Sequence, residues 1–321
     1  MSMITGYMIY SPGMTTRRAF LGSTAAAVAQ AQQPALKIFV LWDMEGTSGI
    51  FTRDQAWYWE SGVREPVAQE ARRIFTSNVN VLSTAALERG VTELIVCDTH
   101  HGGGNLVREQ LATDARIKYE YRSVGVDPSG KKRWMPQLDT GVAGLMLPGH
   151  HAKAFSERAF LPHTSNIEWA DVQINGQSVG EIGIEACYAG HWDVPLIYVE
   201  GDEAACYEAR RMFPGVVTVA VKQTDSPSAE VCTGLDQQAA HREVERKVAE
   251  AVEKARKREL RPYKPALPMT VTVRMRTMDG AAKAAAKGPG ILRLDDHTVE
   301  ARVGRQCDVL KWLNGAALEM E

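Results

Sequence analysis

Between residues 37 and 223 the apolar positions fall in short runs separated by longer segments with helical spacing. KIFVLW (37–42), ELIVCD (93–98), GVAGLMLPG (141–149), VPLIYVEGD (194–202) and VVTVAV (216–221) are such runs. Continuous apolar runs bounded by turn-forming or charged residues predict strands buried on both faces. Residues 64–89 place Val67, Ala71, Ile74, Val79, Leu82 and Ala86 at mostly three-, four- and five-residue steps. That spacing predicts a long helix, which Gly90 stops. Further helices are expected over 181–191 and about 203–212. Strands alternating with helices predict an α/β domain over 37–223, with a largely parallel central sheet and flanking helices.

The pattern changes after Gln223. Residues 236–259 read as a heavily charged helix solvated on one side, and MTVTVRMRT (269–277) alternates as a half-exposed strand does. A smaller C-terminal α+β domain over 224–321 is therefore expected. At 321 residues, 45% hydrophobic and 24% charged, the chain has an ordinary globular composition, which excludes collagen-like and low-complexity classes. A formal net charge of −2 provides no basic field to hold nucleic acid. No apolar run approaches the roughly 20 residues of a membrane span. The five cysteines include no CxxC pair and are odd in number, so neither a zinc ribbon nor a disulfide framework is expected. Cys97 and Cys187 lie in apolar stretches and are expected to be buried thiols.

The first 31 residues carry an address. TTRRAFLGSTAAAVAQA (15–31) has the twin arginines, the following Phe-Leu and the weakly apolar stretch of a twin-arginine export signal. Ala29-Gln30-Ala31 offers a small-x-small cleavage site, with Ala27-Val28-Ala29 as an alternative, and Met14 is an alternative start. A periplasmic or otherwise exported protein is expected.

Chemistry collects at strand ends. Asp43 and Glu45 follow the first apolar run, Asp98 and His100 the second, His150 and His151 the third. Ligands of open parallel sheets bind outside the carboxyl ends of the strands, so these groups should share one rim. Asp43 and Glu45 are two apart and point to the same side of an extended backbone. Gly46 then permits a sharp turn or a close approach. Carboxylates alone would suit a hard divalent ion, whereas added imidazoles favour zinc, with manganese or cobalt as alternatives. The ligands are too many for one tetrahedral ion, so a paired site is expected, with a carboxylate such as Asp43 between the metals. Glu181 is a candidate for the remaining ligand, and Glu185, one helical turn on, competes with it. Each residue also has a structural reading, because Asp after a strand is commonly a turn former or cap. HHGGGN lacks both phosphate-loop spacings.

WDMEGTSGI, VCDTHHGGGNL, GHHAKA, PHTS and INGQSVGEIGIEACYAGHWDVPLIYVEGD, in that order, resemble the bacterial D-aminopeptidase family of dinuclear zinc peptidases. VTVAVKQT extends the likeness, which runs from about Lys37 to the C-terminus. The family motifs are xDxEGxSG, DSH, GxHA, SH and GExG. The resemblance implies two zinc ions per chain held by Asp43, Glu45, His100, His151 and Glu181, with Asp43 as bridge. It places the catalytic histidine at His163, as nucleophile or proton carrier. Register decides between His100 and His101, and between His150 and His151. By the same resemblance the substrates are short peptides with a free amino terminus and a D-residue first, D-Ala especially, and the subunits assemble into a ring of ten. Two rivals remain: another metal-dependent amidohydrolase with the same site, and a non-catalytic periplasmic metal- or peptide-binding protein.

Overall fold

A computed structural model of the protein describes residues 35–122, 124–126, 132–226 and 229–314. The export signal at 15–31 lies outside the described residues. In chain order the first strands are β1 (Lys37–Trp42), β2 (Glu93–Asp98), β3 (Ile117–Glu120), β4 (Val124–Val126) and β5 (Lys132–Trp134). Next come β6 (Val142–His150), β7 (Trp169–Ile174), β8 (Gln177–Val179), β9 (Leu196–Asp202) and β10 (Val217–Gln223). The last are β11 (Thr233–Gly234), β12 (Met269–Met275), β13 (Ile291–Arg293) and β14 (Thr298–Val303). The α-helices are α1 (Arg53–Ala56), α2 (Glu65–Glu88), α3 (Glu181–Gly190), α4 (Glu203–Met212), α5 (Gln237–Lys257), α6 (Met278–Ala285) and α7 (Lys311–Asn314).

The main sheet has seven strands in the order β11-β10-β9-β6-β1-β2-β3. All its pairings are parallel except that of the edge strand β11 with β10. Alternate residues of β1 serve opposite faces: Ile38, Val40 and Trp42 enter one core, Phe39 and Leu41 the other. That is why the run is apolar throughout rather than alternating. Burying each of these side chains stabilises the fold by about 1.5–3 kcal/mol.

On one face α2 packs with α5. Pro66 sits in the first turn of α2, where a missing N–H costs nothing. Asp236 caps α5 by accepting from the Ala239 N–H at 2.9 Å, and Ala240, Val244, Val248, Ala251 and Ala255 form its buried stripe. On the other face lie α3 and a second sheet of order β13-β14-β12-β7-β8, antiparallel throughout.

The expected boundary at 223/224 is crossed in both directions. The second sheet takes β7 and β8 from before it and β12 to β14 from after it, while α5, which follows it, covers the first sheet. The physical reason is pairing: the β7–β8 hairpin completes its ladder only by joining β12, as in Val172 beside Val273. All five cysteines are buried and free. Among the described residues no helix is long and apolar enough to cross a membrane.

Strand order reverses between β1 and β6. From β1 the chain proceeds through β2 and β3 on one side, and from β6 through β9 and β10 on the other. A crevice opens at such a switch point, outside the carboxyl ends of the strands.

Candidate metal centre

The loop leaving β1 is seated directly on the end of β6. The Asp43 N–H donates to the Pro148 carbonyl at 3.0 Å and the Gly46 N–H to that of Gly149 at 2.6 Å. A methyl group on Gly46 would collide with the His150 carbonyl, and one on Gly149 with the Asp43 carbonyl. Gly149 also has φ +72°, a region that disfavours a side chain. The Thr47 hydroxyl donates to the Asp43 carbonyl at 2.9 Å and accepts from the Trp42 indole at 3.0 Å. From beneath, the buried Lys222 ammonium donates to the Glu45 carbonyl at 2.7 Å and to that of Ile50. Burial pulls the Lys222 pKa down to about 8.

Three imidazoles meet three carboxylates above this platform. His100 Nδ1 lies 2.8 Å from Asp43 Oδ1 and 3.1 Å from Glu45 Oε2. His151 Nε2 lies 3.2 Å from Glu181 Oε1 and 3.5 Å from Asp43 Oδ2. His163 Nε2 stands farther off, 3.9 Å from Glu45 Oε1 and 3.8 Å from Glu181 Oε1, with its ring stacked on His151 at 3.8 Å. In each case the other ring nitrogen faces a backbone carbonyl: Ala56 at 2.7 Å from His100 Nε2, Ala152 at 3.0 Å from His151 Nδ1, Leu161 at 2.9 Å from His163 Nδ1.

A carbonyl only accepts, so the proton of each neutral ring sits on that side. The lone pairs of all three rings then point at carboxylate oxygens, which also carry only lone pairs. Such facing acceptors leave room for cations, and the backbone contacts supply the orientation that metal-binding histidines need. Glu45 Oε2 and His151 Nε2 are buried with no aligned hydrogen bond, although each has an oppositely charged group within 4 Å. The donors form two groups, Asp43–Glu45–His100 and His151–His163–Glu181, each with its ligating atoms within 4.8 Å of one another. Asp43 belongs to the first and reaches toward the second through Oδ2. A donor set of imidazole nitrogen and carboxylate oxygen fits zinc.

The electrostatics favour positive charge at the same place, whether a metal ion or a proton on the rings. Burial opposes charging His100, yet the carboxylates of Glu45 and Asp43 hold its pKa well above the usual range. Burial opposes ionising Glu181, and the His151 ring nevertheless brings its carboxyl to about 2. Burial and the neighbouring Glu45 raise Asp43.

His100 and His151 face the carboxylates, whereas His101 stacks on Trp59 at 4.0 Å and His150 pairs with Glu185 at 2.6 Å. Asp98 organises its own loop: it accepts from the Gly104 N–H, the Asn105 N–H and the Asn105 side chain at 2.7–2.9 Å. Both histidine groups border a cavity of about 510 Å³ whose wall includes Trp57, Trp59, Trp134 and Leu310. Trp57 was not singled out from the sequence. Its indole N–H donates to Glu45 Oε1 at 2.6 Å, its ring meets His163 edge-on at 5.5 Å, and the Arg53 guanidinium lies 4.4 Å over it. Nothing in AWYWE distinguishes this tryptophan from its neighbours.

The family model described as D-aminopeptidase, of the M55 peptidases, matches residues 36–315. The chain belongs to the M55 D-aminopeptidase family. A D-aminopeptidase of Bacillus subtilis (strain 168) is 34% identical over 197 residues, spanning 61% of this chain and 67% of that relative. A solved structure, described as the Zn-dependent D-aminopeptidase DppA from Bacillus subtilis, a self-compartmentalizing protease, has the same fold. It superposes with a TM-score of 0.76 at 28% identity, covering 89% of this chain and 99% of that one. The α/β architecture expected from the apolar runs is thus the fold of an M55 D-aminopeptidase.

Proposed function

We propose that the protein is a zinc-dependent D-aminopeptidase that removes an N-terminal D-residue, of the D-Ala type, from short peptides. Two zinc ions per chain would be held by Asp43, Glu45 and His100 on one side and by Asp43, His151 and Glu181 on the other, with Asp43 between them. The observation that carries this reading is the convergence of carbonyl-oriented imidazole lone pairs on buried carboxylates at the switch point. When bound, zinc supplies Lewis acidity, which makes water a usable nucleophile near neutral pH and polarises the scissile carbonyl.

The chain's own groups supply the rest. His163 stands farther from its carboxylates than His100 and His151 do, so it is assigned to proton transfer rather than to metal binding. Its Nδ1–H is committed to the Leu161 carbonyl, which leaves Nε2 as the basic atom toward the cavity. There it takes the proton of the attacking group and returns it to the leaving amine. Trp57 holds one oxygen of Glu45, leaving the other for the metal. Trp57→Phe keeps the ring but loses that N–H, and is expected to weaken zinc binding roughly 10-fold in a chelator competition. An unchanged affinity would show that Glu45 needs no such support.

Stereoselective hydrolysis tests the function. Zinc-loaded protein starting at Gln32 should cleave D-Ala-p-nitroanilide and leave the L-Ala compound nearly untouched. Cleavage of neither, with another amide accepted, would favour the amidohydrolase rival. The twin-arginine motif supports export, which fractionation of cells expressing the full chain would check. The description of the solved relative as self-compartmentalizing supports a ring of subunits here, and a ring of ten requires a mass in solution ten times that of one chain.

A further inference from the structure

Five carboxylates line the cavity: Asp43, Glu45, Glu60, Glu181 and Glu185. Three belong to the two metal groups. Glu60 is committed through both oxygens to the Arg53 guanidinium, at 2.8 and 2.9 Å. Glu185 is different. It lies one turn beyond Glu181 on α3, is 2% exposed, and stands outside both metal groups. Its Oε2 meets His150 Nε2 at 2.6 Å, and Oε1 has no hydrogen-bond partner among the described residues.

The tautomer of His150 defines what Oε1 can do. His150 Nδ1 faces the Pro148 carbonyl at 3.2 Å and therefore carries a proton. The short contact on the other side then needs one more proton, held between Nε2 and Oε2. Whether that proton rests on the ring or on the carboxyl, Oε1 remains an acceptor. The fold thus presents an acceptor oxygen with no hydrogen bond among the described residues, on a buried side chain that lines the same cavity as the metal groups.

We propose that Glu185 Oε1, held in place by His150, accepts an N–H of the substrate's free α-amino group. The inference rests on the aminopeptidase reading, since only a substrate with an unblocked amino terminus brings such a donor to this wall. A further metal is a poorer occupant, because Glu185 and its neighbour His150 belong to no group of three or more potential ligands among the described residues. The ligand class is a primary amine or ammonium adjacent to the scissile carbonyl.

Two hydroxamates test the assignment on zinc-loaded protein: D-alanine hydroxamate and propanohydroxamate, which lacks the amine. Wild type should bind the amine-bearing compound roughly 10- to 100-fold more tightly, the range for a hydrogen bond to a charged group. Glu185→Leu removes the acceptor and should bring that ratio near one, with zinc content and propanohydroxamate affinity unchanged. Glu185→Gln should keep most of the preference, because its amide can donate to His150 while its carbonyl oxygen stays toward the cavity. A melting curve checks folding. If Glu185→Leu does not fold, Glu185→Ala removes the same oxygen and should give the same collapse. A wild-type ratio retained in the variant that folds overturns the proposal, as does a wild type that cleaves D-Ala-p-nitroanilide but shows no preference for the amine. A wild type that cleaves no aminoacyl anilide removes the aminopeptidase reading, and the inference with it.

Discussion

Asp43→Asn is expected to lower the zinc content from the proposed two ions per chain to one or none and to slow cleavage of D-Ala-p-nitroanilide by roughly 10⁴-fold, the scale of losing a member of a catalytic unit. The substitution keeps the side-chain volume, so the cause is the charge and the second acceptor oxygen. Asp43 Oδ1 is 2.8 Å from His100 and Oδ2 is 3.5 Å from His151, so this one carboxylate faces both metal groups. Glu45 also faces both groups, through Oε2 to His100 at 3.1 Å and Oε1 to His163 at 3.9 Å, but its Oε1 is taken by the Trp57 indole. Metal analysis of the purified variant together with its steady-state rate checks the prediction. Two tightly held ions and a near-normal rate would remove Asp43 from the bridging role.

His163→Ala separates the two roles that its position allows. As a proton carrier, its loss lowers kcat by roughly 10²- to 10⁴-fold. The zinc content should stay at two per chain and KM should change little, because the ligands on either side are intact. As a ligand, its loss would instead reduce the metal content, and added zinc would partly restore the rate. The side chain is 15% exposed and stacked on His151, so its removal opens space at the cavity wall rather than a void in the core. The ratio of metal loss to rate loss therefore reads its function directly.

The parts of this site that were legible in the sequence are those fixed by local geometry. Asp43, Glu45, His100 and His151 each follow a strand that its apolar run reveals, and parallel strands deliver their ends to one rim. Glu181 was legible because Gly180 and the helical spacing after it place it at the first position of α3. What stayed hidden depends on contacts across the chain. Trp57 acts through a hydrogen bond to Glu45, and its aromatic neighbours look the same in sequence. Glu185 appeared only as a competitor of Glu181, because its pairing with His150 joins positions 35 residues apart. The second sheet was missed for the same reason. The pairing of Val172 with Val273 joins one expected domain to the other across 223/224, and no periodicity reports it. Lys222, at the end of an apolar strand, gave no sign that it holds the loop carrying Glu45.

The central claim is that one chain holds two zinc ions in the two groups that Asp43 joins. Anomalous scattering from crystals of the zinc-loaded protein, recorded on both sides of the zinc absorption edge, tests it most directly. Two peaks per subunit, one among Asp43, Glu45 and His100 and the other among Asp43, His151 and Glu181, are the predicted result. A single peak, or zinc bound away from these residues, would contradict the account.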